Sequence, residues 1–169
     1  EATLRKRLPR LSVGPHVTVT FENWDSMWLQ VQEMLRIEKG GEAQLVDELA
    51  AYNPMIPNGR ELTCTLMFEI DDPVIRGRTL GQLGGVEDHI YLSLGGDRIG
   101  AVAEGDVERS RADGKASSVQ FLHFPFTDAQ VAAWRGGMGP LVFGIDHPAY
   151  GHMALIGEDI RRELARDFA

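Results

Sequence analysis

Two carboxylates on the first predicted helix occupy positions that could support acid–base or metal chemistry. With about 100° between successive residues, Glu38 falls on the same arc as a row of apolar side chains, whereas Glu33 lies nearly opposite and cannot act together with it. A carboxylate on an apolar face must be paired, protonated or bound to a metal, and the helix C-terminus near Glu38 disfavours negative charge. Glu38 is therefore either an ion-pair partner of an arginine at a fraying helix end or a buried functional carboxylate. For Glu33 we expect a surface ion pair with Arg36 or Arg60.

The apolar arc of this helix is rich in tryptophan and methionine. Its members are Trp24, Met27, Trp28, Val31, Met34 and Leu35. The pattern predicts that the arc packs on the core of the protein. The alternative is that these side chains form a contact surface for a partner.

Two histidines lie on predicted strands beside aromatic residues. His123 shares a strand face with Phe121, and His147 shares one with Phe143. If both faces turn to the same core, the two imidazoles meet at the edge of an aromatic cluster. Imidazole and carboxylate ligands suit iron, zinc or manganese, so the candidate metal ligands are these two histidines and Asp146. The alternative is that the histidines are hydrogen-bonded core residues, because the sequence contains no HExxH motif and no CxxC pair.

Charge and cysteine content exclude several classes of function. The chain carries 17 basic and 25 acidic side chains, a net charge of −8, and an acidic protein repels the phosphate backbone of nucleic acids. Cys64 is the only cysteine, which excludes an internal disulfide and a four-cysteine cluster and predicts a reducing, cytoplasmic location. No segment reaches the roughly 18 apolar residues of a membrane span, so neither nucleic acid nor a membrane is expected as a partner.

The length and organisation of the chain predict a single domain over residues 1–169. The sequence has no internal repeat, no low-complexity tract and no long linker. It starts at Glu1 without an initiator methionine, so we expect residues to be missing at the N-terminus. A cluster of basic residues over positions 5–10 predicts that residues 1–13 form a basic arm.

The first part of the chain predicts a strand followed by a helical hairpin. The β-branched segment 16–22 is typical of a strand, and Asn23 can cap a helix over residues 24–39. Two glycines end this helix, and a second helix over residues 42–52 stops before Pro54. In that second helix we expect Leu45, Val46, Leu49 and Ala50 to face inward.

The remainder of the chain reads mainly as short strands. Strands are predicted over residues 61–70, 89–94, 98–103, 117–126 and 141–147. Helices are predicted near residues 128–134 and 157–168, a mobile loop over 104–115, and a turn over 146–152. The predicted fold class is α+β, with a largely antiparallel sheet against which the N-terminal helical hairpin and a C-terminal helix pack.

Five segments in order resemble a bacterial protein family known only as domain of unknown function 3501. They are QVQEMLRIE (30–38), ELAAYNPMIP (48–57), TLMFEI (65–70), SVQFLHF (118–124) and IDHPAY (145–150). The resemblance covers nearly the whole chain. It marks as family motif positions the residues Glu33, Arg36, Glu38, Tyr52, Glu69, His123, Asp146, His147 and Tyr150.

The resemblance implies a redox or oxidative-stress setting but no defined activity, because genes of the family lie beside those of rubrerythrin-like and iron–sulfur proteins. Two functions therefore stay open. The protein is either a non-catalytic accessory protein with a redox or iron-protein partner, for which a homodimer is one arrangement, or a small metal-binding protein or metalloenzyme. The second function would combine Glu38 or Glu69 with His123 and His147. A candidate pocket would then comprise Glu33, Arg36, Glu38, Tyr52, Glu69 and Tyr150.

Overall fold

The computed structural model describes residues 9–104, 115–137 and 139–169. The strands are β1 (Arg10–Val13), β2 (Val17–Glu22), β3 (Glu61–Phe68), β4 (Ile90–Leu94), β5 (Asp97–Gly100), β6 (Val102–Ala103), β7 (Val119–Pro125), β8 (Leu141–His147) and β9 (Tyr150–Leu155). The helices are α1 (Trp24–Glu38), α2 (Gly41–Tyr52), α3 (Pro73–Gly81), α4 (Asp128–Gly136) and α5 (Glu158–Ala165). Short 3₁₀ turns lie at Asn53–Met55 and Val86–His89.

The predicted arrangement of one sheet with a helical hairpin before it and a helix after it is wrong. The described residues form two antiparallel sheets, one with the order β1-β2-β3-β7-β6 and one with the order β5-β4-β8-β9, and the helices are interspersed between the strands. The segment predicted as one strand over residues 98–103 divides at Ala101, and its halves join different sheets. Strand periodicity reports which face of a strand is apolar but not which sheet the strand joins, so this division is invisible in the pattern.

The two ends of the chain also differ from the prediction. The prediction of a basic arm is wrong for residues 10–13, which form β1, and Leu11 pairs with Val19 of β2. The predicted turn over residues 146–152 is a tight hairpin that continues into β9, with His147 opposite Tyr150. Residues 1–8 of the predicted arm and residues 105–114 of the predicted loop lie outside the described residues.

The core lies between the two sheets. Phe143 of the second sheet contacts Phe21 and Phe124 of the first, with ring centroids 6.2 and 5.7 Å apart. Buried residues alternate with less buried ones along β2, β3 and β7, so these strands turn one face into the core. All three phenylalanines are at most 1% exposed, and side chains from both sheets belong to one continuous buried cluster.

The helical hairpin α1–α2 was predicted at almost the observed boundaries. Asn23 and Ser26 cap α1 reciprocally through side-chain and backbone hydrogen bonds. Lys39 ends the helix in the left-handed conformation. The inward face predicted for α2 is wrong for Val46, which is 67% exposed, and for Ala50, whereas Leu45 and Leu49 are half-buried; no residue of α2 is fully buried. The hairpin thus covers little of the sheets and stands largely in solvent. Among the described residues, no helix combines the length and the apolar character that crossing a membrane would require.

Candidate docking site and the predicted site residues

A pair of stacked tryptophans lies exposed on α1. Trp24 and Trp28 are one helical turn apart, so their side chains project from the same face, with ring centroids 5.7 Å apart and planes at 14°. They are 56% and 41% exposed. Exposed aromatic pairs of this kind are uncommon on free protein surfaces and enriched at interfaces.

The tryptophans border a groove between the two helices. The groove has a volume of about 180 Å³, and its lining consists of Trp24, Met27, Trp28, Val31, Leu49, Asn53 and Ile56. Met27 and Val31 form its buried floor. Only Asn53 contributes a polar side chain, so the groove suits an apolar side chain rather than a charged substrate.

Two carboxylates meet at the other end of the same helix–helix seam. The side-chain nitrogen of Gln44, which has two N–H groups, lies 3.0 Å from the Met34 carbonyl oxygen and 3.1 Å from Glu38 Oε2, with Glu48 Oε1 further away at 3.4 Å. Within the described residues, neither carboxylate forms an ion pair with an arginine or a lysine. Neither interpretation of Glu38 fits: it has no arginine partner among the described residues, and it is exposed, so it is not a buried functional carboxylate.

The other candidate residues on the hairpin make surface contacts. Glu33 and Arg36 form an ion pair one turn apart, and hydrogen bonding from Arg36 lowers the pKa of the Glu33 carboxyl from its ordinary value. Both side chains are more than half exposed. Tyr52 accepts a long hydrogen bond of 3.5 Å from Gln30.

Tyr150 and Glu69 lie elsewhere, near the turn between β1 and β2. The Tyr150 hydroxyl donates to the Val13 carbonyl oxygen (2.5 Å) and accepts from the His16 amide (3.1 Å), and burial raises the pKa of this phenol. The exposed Glu69 contributes its backbone amide to His16 O (2.7 Å). The predicted pocket residues are therefore split between two regions of the molecule.

His147 uses both ring nitrogens on the backbone. Its Nε2 lies 3.1 Å from the Gly84 carbonyl oxygen, and its Nδ1 accepts from the Ala149 amide at 3.1 Å. A carbonyl can only accept and an amide can only donate, so the contacts define a neutral imidazole protonated at Nε2. Neither nitrogen has a free lone pair for a metal.

Asp146 contacts an arginine and a histidine side chain at the surface. Its carboxylate lies 3.0 Å from Arg98 Nη1 and 3.2 Å from His89 Nδ1. Partial desolvation raises the pKa of Asp146, but the hydrogen bonds and attraction from Arg98 and His89 outweigh that effect and lower it overall. Arg98 also lies over the Tyr91 ring at 3.9 Å, so the carboxylate anchors a surface cation–π contact.

His123 lies between two glutamates that were not predicted as its partners. Its Nδ1 is 3.0 Å from Glu61 Oε2 and its Nε2 is 2.6 Å from Glu104 Oε2, and all three side chains are at most 20% exposed. The strand face of His123 was predicted correctly, but it is the outer face of the first sheet, not the core face of β7. The register that brings Glu61 of β3 near His123 of β7 cannot be read from periodicity.

The candidate metal ligands do not come together. The described residues contain no group of three histidine, cysteine or acidic side chains that could hold a metal ion. Both nitrogens of His123 are within hydrogen-bond distance of carboxylate oxygens, and those of His147 are engaged by the backbone. Cys64 is fully buried, and burial raises the pKa of its thiol, so it is an inert core residue. The residues that are present thus do not fit the predicted iron, zinc or manganese site.

The fold and the site define a class of protein in which two packed antiparallel sheets carry a projecting helical hairpin. The profile of the family described as protein of unknown function (DUF3501) matches residues 2–168, and the chain belongs to that family. A crystal structure of a novel protein of unknown function from Burkholderia pseudomallei K96243 is similar, with 36% identity and a TM-score of 0.86. The similarity covers 95% of this chain and 83% of that one. No protein with curated annotation matches the chain.

Proposed function

We propose that this protein is a non-catalytic accessory protein that binds a partner protein through the α1–α2 hairpin. The observation that carries the proposal is the exposure of large apolar side chains on both helices. We call these side chains the hairpin surface: Trp24, Trp28, Leu29, Ile37 and Val46, each at least 41% exposed.

The packing of the hairpin supports a docking role. An isolated helix of this length is marginal in water and normally gains its stability by burying an apolar face. α2 buries no residue, and α1 buries only Ser26, Met27 and Val31. A partner that covers the hairpin surface would bury the apolar area that the sheets leave exposed. Tryptophan in particular tends to dominate the binding energy of protein interfaces.

The partner protein has an expected chemistry and cellular location. We infer that the partner is a redox or iron protein in the cytoplasm, and the support is the redox context that the family resemblance implies. Cys64 is buried and inert, which is consistent with the redox-active group belonging to the partner and not to this chain.

Position-specific photo-crosslinking in cells that encode the protein tests the docking role. A benzoylphenylalanine at Val46, 67% exposed, should yield an adduct with a partner protein, and Trp28→Ser in the same chain should abolish it. The same reagent at Leu155, 73% exposed on β9, is the control and should yield none. Equal adducts from both positions would contradict the proposal. A specific partner without a redox centre would leave the docking role standing and refute the redox link.

The alternative, a metal-binding protein with a histidine–carboxylate site, has less support. Within the described part of the chain, the observation that favours it is the clustering of Glu61 and Glu104 around His123, although these three side chains as they stand do not form a metal site. Elemental analysis of untagged protein purified without chelators tests it. Iron, zinc or manganese near one equivalent per chain, lost in His123→Ala, would favour this function over the accessory role.

A further inference from the structure

We propose that the partner element is an amphipathic helix that lies along the α1–α2 seam, with an apolar stripe against the tryptophan groove and lysine or arginine side chains against Glu38 and Glu48. The inference rests on the proposed docking function and names the chemistry of its occupant. Helix-in-groove docking is an established mode of peptide recognition, read by apolar anchors three and four residues apart.

The apolar end of the seam fits such anchors. Trp24 and Trp28 form one wall of the groove, and Leu49 and Ile56 form the other. The floor of Met27 and Val31 is buried, so an aliphatic side chain that enters is surrounded by apolar atoms. A pair of helices also presents a long, straight depression that matches a third helix in shape.

The carboxylates at the acidic end of the seam are suited to bind cationic side chains of a partner. Glu38 and Glu48 converge on the Gln44 amide, which supplies one neutral donor group to two negative charges. The hairpin as a whole carries six acidic residues against two basic ones: Asp25, Glu33, Glu38, Glu42, Asp47 and Glu48 against Arg36 and Lys39. Arg36 is already paired with Glu33. A lysine or arginine of the partner would complete the interaction that these carboxylates lack within the described residues.

The spacing of the two ends defines the pattern of the partner. Trp28 and Glu38 are ten residues apart on α1, or about 15 Å along the helix axis. To reach Glu38, a partner helix that runs along the seam needs a basic residue about ten positions from the anchor that meets Trp28, whereas Glu48 directly precedes the groove residue Leu49 and is reached from a nearer position. A second copy of this chain fits less well, because its hairpin brings the same excess of negative charge.

Two synthetic helical peptides of about 18 residues provide the probe. Both carry leucines on one stripe, and about ten residues further along one carries lysines and the other glutamates. Titration followed by tryptophan fluorescence reports on the groove, because Trp24 and Trp28 are exposed whereas Trp134 is fully buried. We expect the lysine peptide to bind at least about tenfold more tightly, and the difference to shrink in about 0.5 M salt.

Charge variants show whether the preference for the lysine peptide comes from the carboxylates of the seam or from the overall negative charge of the protein. In the double variant Glu38→Gln/Glu48→Gln, the preference for the lysine peptide should fall to about threefold or less. The matched control Glu42→Gln/Asp47→Asn removes two exposed charges of α2 that do not contact Gln44, and it should keep most of the preference.

Several outcomes would overturn the inference. If both peptides bind equally and Trp28→Ser abolishes binding, the docking function survives and the basic partner is refuted. If the preference persists in the Glu38→Gln/Glu48→Gln variant, or if neither peptide binds, the seam is not the recognition site. A concentration-dependent dimer in sedimentation that Trp28→Ser dissociates would assign the groove to a second copy instead.

Discussion

At the scale of single residues, most of the candidate catalytic and metal-binding side chains form hydrogen bonds or ion pairs that stabilise the fold. His147 ties the β8–β9 hairpin to the Gly84 carbonyl, and Tyr150 ties β9 to the end of β1. His123 joins two glutamates across neighbouring strands. Such satisfied polar groups are costly to disturb, and their placement is explained without catalysis.

Asp167 carries a pH dependence of stability. Burial and the neighbouring Glu163 raise the pKa of its carboxyl to about 6, and Arg166 offsets only part of this effect. The folded state therefore disfavours the ionised form, and stability is lost as the pH rises from about 4 through 6. Asp167→Asn should stabilise the protein by roughly 1 kcal/mol above pH 7, a value discounted because the carboxyl is partly exposed, and the gain should shrink towards pH 4.

Urea unfolding at several pH values measures this effect. Asp47→Asn, an exposed carboxylate on α2, is the matched control and should show no comparable pH-dependent gain. A gain for Asp167→Asn that stays constant from pH 8 to pH 4 would contradict the assignment to this carboxyl.

At the scale of elements, different residues of the hairpin contribute to the stability of the fold and to the proposed docking. Met27 is 6% exposed and Trp28 is 41% exposed, although they are adjacent on α1. Met27→Ala should lower the free energy of unfolding by about 2 kcal/mol or more, because it opens a cavity. Trp28→Ala should cost about 1 kcal/mol or less despite the larger side chain, because much of it is already in water. Chemical denaturation of both variants decides the order, and a larger loss for Trp28→Ala would mean that the tryptophan serves the fold.

The boundaries of most elements could be predicted because their signals are local. Asn23 as an N-cap and the alternation in β3 each depend on a few adjacent residues. The predicted glycine cap of α1 is wrong, because Lys39 takes the left-handed conformation and Gly40 and Gly41 lie at the start of α2. The role of the apolar arc on α1 could not be predicted, because helical periodicity is the same for a face that meets the core and one that meets a partner. For the same reason, Val46 was expected inside and lies outside.

The partners of the candidate site residues depend on contacts between distant segments. Glu61 and His123 meet because β3 pairs with β7 in one register, which aligns Thr63 with His123. Arg98 and Asp146 meet because β5 and β8 both flank β4. No local pattern encodes these pairings, so the sequence identified several of the polar residues but not the groups that they contact.

At the scale of the whole molecule, Phe143 joins the two sheets. It is fully buried and contacts one aromatic ring from each of β2 and β7. Phe143→Ala should lower the free energy of unfolding by about 3–5 kcal/mol, whereas Val142→Ala on the opposite face of β8 should cost about 1 kcal/mol or less. Urea unfolding followed by both circular dichroism and tryptophan fluorescence measures the loss. Phe143→Leu provides a milder variant. If Phe143→Ala loses no more stability than Val142→Ala, the packing of the sheets does not depend on this contact.

The bond between Tyr150 and the start of the chain has a consequence for folding during synthesis. The Tyr150 hydroxyl contacts the Val13 carbonyl across 137 positions of sequence and the His16 amide across 134. The ribosome must therefore release β9 before the β1–β2 turn can meet Tyr150. Contacts of such high order form slowly, because a long loop must close before any stabilisation is gained. β1 and β2 pair across a short turn and can form early, so we expect this hairpin to wait with its turn unanchored until β9 is made, which leaves the outer edge of β1 open to chaperones or to another strand.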